Sequence, residues 1–263
     1  MLFDTHAHLN DQEAFPDVEP ALARAGEAGV RRIVVPGYDR ASCLRALALA
    51  EQHPAIYAAV GFHPNDAASV TEQDLADLEQ WVTHDKVVAV GEIGLDYHYD
   101  TPRDVQERIL RTQVALARRV RKPVVIHDRE AHEDIVRMLD EEGVVHVGGI
   151  MHCFSGSVEM MHQCLALGMH ISLGGPVTFK NAKKPVQVAE AVAEDRLLIE
   201  TDSPWLAPHP HRGKPNESAY VKLVAQRIAE VRGVSPDELA QITWRNACQV
   251  FSLPEVLGDG ETL

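Results

Sequence analysis

VVAVGEIGLD (87–96) and KPVVIHDRE (122–130) are two apolar runs that each end in a polar stretch, and residues 103–121 between them carry helical periodicity. Near-continuous apolar runs, rather than alternating ones, suit strands covered on both faces, as in a parallel sheet. The same unit repeats outward in both directions. Upstream lie LFDTHAH (2–8), RRIVVPG (31–37) and IYAAVGFHP (56–64). Downstream lie HVGGIMHCFSG (146–156), HISLGG (170–175) and LLIETDSP (197–204). Helical stretches at about 17–28, 41–53, 72–84, 131–142, 157–167 and 183–194 separate them, and two more follow at about 218–231 and 235–250. Thr71 with Asp74, and Ser235 with Glu238, have the spacing of helix-starting caps. Eight strands alternating with helices predict an α/β protein, a (β/α)8 TIM barrel with extra C-terminal helices. An open doubly wound sheet shows the same alternation, but no GxGxxG follows the first run to support it. The tail from about Leu253 reads as loosely ordered.

The chain has 263 residues. At roughly 150 residues per domain that allows one domain or two, and single barrels of about 250 residues are common. One barrel domain over 1–263 is expected. Hydrophobic residues at 45% and charged residues at 24% exclude disorder, collagen and coiled coil as the main class. Lys and Arg number 25 against 39 Asp and Glu, a net charge of −14. A chain this acidic does not hold nucleic acid by broad electrostatics. No apolar run approaches the ~18–20 residues of a membrane helix. The start, MLFDTHAHLNDQE, has no basic region followed by a long apolar one, so it is not expected to be a secretory signal. The four cysteines form no CxxC and read as free thiols of a reducing compartment. A cytoplasmic protein with no membrane contact and no obligate protein partner is expected.

The 14 histidines are the unusual feature of composition. His6 and His8 end the first run, and alternation puts both imidazoles on one side of a strand. At this histidine content chance alone supplies about 0.7 such pairs, and His209 and His211 form a second one. The neighbours decide the matter. Glu92 lies near the end of the fourth run, His127 that of the fifth, His152 that of the sixth and Asp202 that of the eighth. In a barrel all of these reach the C-terminal face, where the strand-to-helix loops build the site. A carboxylate closing an apolar run is costly to bury without a partner. Imidazoles with carboxylates suit Zn²⁺ or Mn²⁺ and allow two ions. Glu92, on a middle strand, is the natural bridge between two ions, and Asp202 at the edge is the candidate base for a water.

Placed in this order, the residues resemble the TatD family of metal-dependent hydrolases within the amidohydrolase superfamily. The shared motifs stand here as DTHAHLND (4–11), VGFHP (60–64), GEIGLDY (91–97), IHDRE (126–130), MHCFSG (151–156), VTFKNA (177–182), ETDSPWL (200–206) and HRGKPNE (211–217). The resemblance implies two divalent metal ions, Zn, Mn or Mg. One would be held by His6, His8, Glu92 and Asp202, and the other by Glu92, His127 and His152. It implies that His63 contacts the substrate phosphate. It also implies a phosphodiester hydrolase, a 3′→5′ exonuclease on the ends of single-stranded DNA or RNA, with Asp202 and Glu92 catalytic and a metal-activated water as the nucleophile. The superfamily's bridging lysine has no counterpart, and Glu92 takes its place. One departure is Ser218, where relatives usually carry Pro after Asn-Glu; Ser caps the next helix acceptably. A dinuclear amidohydrolase or esterase on a small molecule or an aminoacyl ester is the competing function, because the same centre activates water against a carbonyl carbon. A non-catalytic metal-bound barrel is a third.

Arg129 follows His127 by two residues and is placed to bind a phosphate oxygen, with an ion pair to Asp128 or Glu130 as the alternative. Arg212 lies in the loop after the eighth strand and is a second candidate for substrate. The basic run from Arg118 to Lys122 falls at the opposite end of the barrel, where it complements a helix dipole. Phe62, Tyr97, Phe154, Phe179 and Trp205 fall near the active rim as core or stacking residues. Alternation points Cys153 away from the side of His152.

Overall fold

Eight parallel strands form one sheet in sequence order. They are β1 (Leu2–Asp4), β2 (Val30–Pro36), β3 (Ile56–Val60), β4 (Val87–Asp96), β5 (Val124–Arg129), β6 (Gly149–Met151), β7 (Met169–Leu173) and β8 (Leu197–Ile199). This computed structural model describes residues 1–258, 260, 261 and 263. The helices between strands are α1 (Glu19–Glu27), α2 (Arg40–Gln52), α3 (Glu72–Trp81), α4 (Arg103–Val120), α5 (His132–Glu141), α6 (Val158–Ala166) and α7 (Lys183–Ala191). Two more, α8 (Val221–Arg232) and α9 (Pro236–Val250), follow the last strand. This is the expected (β/α)8 barrel with C-terminal helices.

The sheet closes at the end that carries the candidate ligands. Thr5 N donates to Ile199 O at 3.2 Å, Asp202 N to His6 O at 2.9 Å, and His8 N to Ser203 O at 2.8 Å. Ala7 and Ser203 form a parallel bridge. The seam between first and last strands therefore runs through His6, His8 and Asp202. The hydrogen bonds that close the barrel also fix these side chains.

Three predicted runs are mostly not strand, LLIETDSP among them with Leu197–Ile199 alone. LFDTHAH yields only three strand residues, because the chain bends after Asp4 to bring His6 and His8 inward. HVGGIMHCFSG yields three, because Val144–His146 form a 3-10 turn before it and Cys153 adopts φ 44° after it. The Thr71–Asp74 capping box forms, and Ser235 accepts from Glu238 N at 3.1 Å.

The barrel interior below the site is largely apolar, with Arg32, His170 and Ser172 as buried polar members of the same layers. Val125 and Ile150 lie two residues before His127 and His152 on the same side of their strands, and both are buried. They belong to one cluster with Phe3, Val34, Ala59, Ala89 and Leu198 from other strands, and with Trp244, Ala247, Cys248 and Phe251 of the α9 region. Trp244 and Phe251 each lie 5.8 Å from Phe3, so the end of α9 closes the floor.

Among the described residues after Leu253, Pro254 and Glu261 are tied down, against the expectation of a loose end. Arg32, fully buried in β2, reaches out of the floor and donates to Pro254 O at 2.6 Å. It also pairs bidentately with the Glu261 carboxylate at 2.5 and 2.8 Å. A guanidinium buried without partners would be prohibitive, so the tail supplies them.

Candidate metal centre

His6, His8, His152 and Asp202 lie just past the ends of β1, β6 and β8, while Glu92 and His127 lie within β4 and β5 and face the same mouth. His6 Nε2 and His8 Nε2 lie 3.0 Å apart. Each is 3.5 Å from Glu92 Oε2, and they are 3.7 and 3.6 Å from Asp202 Oδ1. Donors bound at about 2.1 Å in a tetrahedron lie about 3.4 Å apart. The two imidazole nitrogens can share a proton at this spacing, and with the carboxylate oxygens beside them they also have the spacing of donors to a shared cation. His6, His8 and Glu92 offer donor atoms close enough together to hold one ion, and His6 and Asp202 form a second such group with His152.

The other oxygen of Glu92 faces a second group. Glu92 Oε1 lies 2.9 Å from His127 Nδ1, 2.9 Å from His152 Nε2 and 3.6 Å from His63 Nε2. One carboxylate thus presents its two oxygens to two separate sets of imidazoles. The donor chemistry suits ions of the Zn²⁺ or Mn²⁺ type.

Two acids to which the sequence assigned no role stand behind these rings. Asp96 Oδ2 lies 3.0 Å from His127 Nε2, and Glu200 Oε1 lies 3.3 Å from His152 Nδ1. A carboxylate behind an imidazole holds the proton on the far nitrogen and leaves the near one free to ligate. Glu200 stands in LLIETD but lies past the end of β8, so strand alternation gives no signal for its place behind His152.

Burial and neighbouring charge oppose each other at these side chains. Burial alone would raise the Glu92 carboxyl, but His152, His63 and His127 hold it well below the ordinary range. Asp202 is likewise depressed despite burial, mainly by His8 and His152. Burial opposes protonation of His152 and His127, yet Glu92 with Glu200, and Asp96 with Glu92, raise both.

His63 behaves differently. Burial, helped by His127, pushes its pKa down to about 3, so the ring stays neutral. Its Nδ1 accepts from Asn65 N at 3.1 Å, capping the 3-10 turn Pro64–Ser69. The single proton is therefore on Nε2, the nitrogen that faces Glu92. A ring in that tautomer donates a hydrogen bond into the site rather than ligating an ion.

A cavity of about 910 Å³ opens above the ligands. His8, His63, Glu92, His127, His152 and Asp202 line it, while His6 is buried beneath. Arg129 lines the mouth, its guanidinium 5.4 Å over the Tyr99 ring, and makes no ion pair with Asp128 or Glu130 among the described residues. Lys184 lines it too. Arg212 stacks 4.3 Å over Phe179 and is not among the lining residues. Cys153 corrects the alternation argument: its left-handed φ of 44° ends the strand pattern, and it lines the cavity after all. At the far end, Arg118 donates to Glu142 O and Arg119 pairs with Glu79, as structural contacts of α4.

A barrel with this set of histidines and acids at its C-terminal mouth defines a metal-dependent hydrolase. The chain belongs to the TatD related DNase family, whose profile matches residues 3–252. It is 52% identical to the uncharacterized metal-dependent hydrolase YabD of Bacillus subtilis (strain 168), over 96% of this chain and 100% of that protein. It is 34% identical to the 3′-5′ ssDNA/RNA exonuclease TatD of Edwardsiella piscicida, over 96% and 100%. The crystal structure of the TatD homologue YjjV from Escherichia coli K12 superposes with a TM-score of 0.91 at 35% identity, covering 96% of this chain and 98% of that one.

Proposed function

We propose that the protein is a dinuclear phosphodiesterase that removes nucleotides 3′→5′ from the ends of single-stranded DNA or RNA. The observation that carries this reading is the division of Glu92 between two sets of imidazoles, which suits a pair of ions sharing one carboxylate. The name of the Edwardsiella piscicida relative supplies the substrate class. In this reading His6, His8, Glu92 and Asp202 hold one ion, and Glu92, His127 and His152 the other. Zn²⁺, Mn²⁺ or Mg²⁺ bound there would lower the pKa of a coordinated water and offset charge on the phosphate oxygens.

The chain's own groups do the rest. Asp202 keeps its carboxylate ionised and lines the cavity, so it takes the proton of the attacking water. His63 donates from Nε2 to a non-bridging phosphate oxygen. Arg129 at the mouth takes a neighbouring phosphate. Arg212, held against Phe179, reaches only a longer strand. The four cysteines are all free, which suits the cytoplasm.

The test is metal-stripped protein reloaded separately with Mg²⁺, Mn²⁺ or Zn²⁺ and given 5′- or 3′-labelled single strands. Metal-dependent shortening from the 3′ end is expected, and Glu92→Ala or Asp202→Ala should abolish it. Release that persists in the stringently purified double variant would mark a contaminating nuclease and overturn the reading. Hydrolysis of carbonyl esters or amides but of no phosphodiester would replace it with the small-molecule hydrolase.

A further inference from the structure

Two exposed aromatic side chains at the mouth have no part in the scheme above. Trp205 is 48% exposed and Tyr99 54% exposed, and both line the cavity. With Leu206 they account for three of the seven large apolar side chains that stand exposed among the described residues. Large apolar side chains gathered at one opening mark a binding surface.

Their positions flank the centre. Trp205 stands edge-on to His8 with ring centroids 4.9 Å apart, and its backbone N–H donates to Asp202 O at 3.0 Å. It belongs to the His6–His8–Asp202 side. Tyr99 follows Asp96 by three residues and lies under the Arg129 guanidinium, two residues beyond His127. It belongs to the His127 side. Arg129 and Lys184, also at the mouth, have no carboxylate partner among the described residues. In a chain of net charge −14, cations left unpaired at one opening suit a polyanion.

We infer that Trp205 and Tyr99 are stacking platforms for the two nucleobases on either side of the scissile phosphodiester. The inference rests on the phosphodiesterase reading and adds the subsites to it. Two bases held on platforms at opposite sides of the centre are stacked neither on each other nor in a duplex. The substrate must therefore be a splayed single strand, which gives strand selectivity without any base-specific hydrogen bond.

The experiment uses the Mn²⁺-loaded protein and its Trp205→Ala, Tyr99→Ala, Trp205→Phe and Tyr99→Phe variants. The substrates are a thymidine dinucleotide and two analogues, each lacking one base. Each Ala variant should raise KM for the full dinucleotide about 10–100-fold, the range expected for one lost base stack, with a smaller change in kcat. Each Phe variant should recover most of that loss. The Trp205→Ala effect should vanish on one abasic analogue and the Tyr99→Ala effect on the other. Equal losses on full and abasic substrates would overturn the inference while the phosphodiesterase reading stands. If wild-type protein cleaves none of the three diesters, both fail together. A Phe variant that binds as poorly as its Ala counterpart would also count against stacking.

Discussion

At the scale of single residues, Asp96 and Glu200 explain how two imidazoles present the correct nitrogen. Asp96 lies 3.0 Å from the far nitrogen of His127, and Glu200 lies 3.3 Å from that of His152. Asp96 lines the cavity and Glu200 does not, but each carboxylate contacts the ring nitrogen opposite the one that faces Glu92, so each acts by positioning. Asp96→Asn and Glu200→Gln keep the shape and remove the charge. Each should weaken ion binding about 10–100-fold, read by competition with a chelator on metal-stripped protein. Wild-type affinity in both variants would show that packing alone orients the rings. The raised pKa values of His127 and His152 add a pH dependence. Raised values mean that the rings take up protons at higher pH than free imidazole, and a bound ion would compete with those protons, so affinity should fall as pH is lowered. Proton release on ion uptake, measured by calorimetry in buffers of different ionisation heat, checks the sign.

At the scale of elements, β4 shows why the strand that carries Glu92 tolerates so little change. All ten of its residues are buried. A side-chain carbon added at Gly94 would lie 1.9 Å from His127 O on β5, far inside any non-bonded contact distance. Gly94 is thus what lets the Glu92 and His127 strands pair beside the site. Gly94→Ala should lower stability by about 2–4 kcal/mol and reduce ion affinity with it, measured by denaturant unfolding and metal titration. An unchanged midpoint would mean that β5 shifts freely. The same elements show how far the sequence was legible. The apolar runs revealed eight strands because burial on both faces leaves a composition signal, and the order of the site motifs followed from it. The contacts between distant strand ends left no such signal. The β8-to-β1 seam, the left-handed turn at Cys153 and Glu200 behind His152 all depend on backbone geometry beyond the last paired residue. Asp96 was quoted within a motif, yet only the pairing of Gly94 with His127 shows that it sits beside the neighbouring strand's histidine.

At the scale of the whole molecule, the two ends of the barrel do different work. The C-terminal mouth gathers polar groups around Glu92, and the opposite end is closed by α9 and the tail. That closure depends on Arg32, whose guanidinium is fully buried and paired with Glu261, with Tyr57 Oη also donating to the same carboxylate at 2.7 Å. Burial alone would raise the Glu261 carboxyl, but Arg32 and Tyr57 bring it from 4.5 down to about 2. A depressed carboxyl contributes its full stability above the unfolded value and loses it as pH falls toward the folded one. The pair should therefore support the fold at neutral pH, weaken below about pH 4.5 and contribute nothing below about pH 2. Glu261→Gln should cost about 3 kcal/mol near neutral pH, since each tenfold change in proton affinity is worth about 1.4 kcal/mol. Urea unfolding of wild type and variant across the acid range measures this, with the fluorescence of Trp244, whose indole donates to Glu255 O at 2.9 Å, reporting on the floor. The two stability curves should converge as the pH approaches 2. A constant gap at every pH would show that Glu261 stabilises the floor through its shape and neutral hydrogen bonds, with no contribution from its charge.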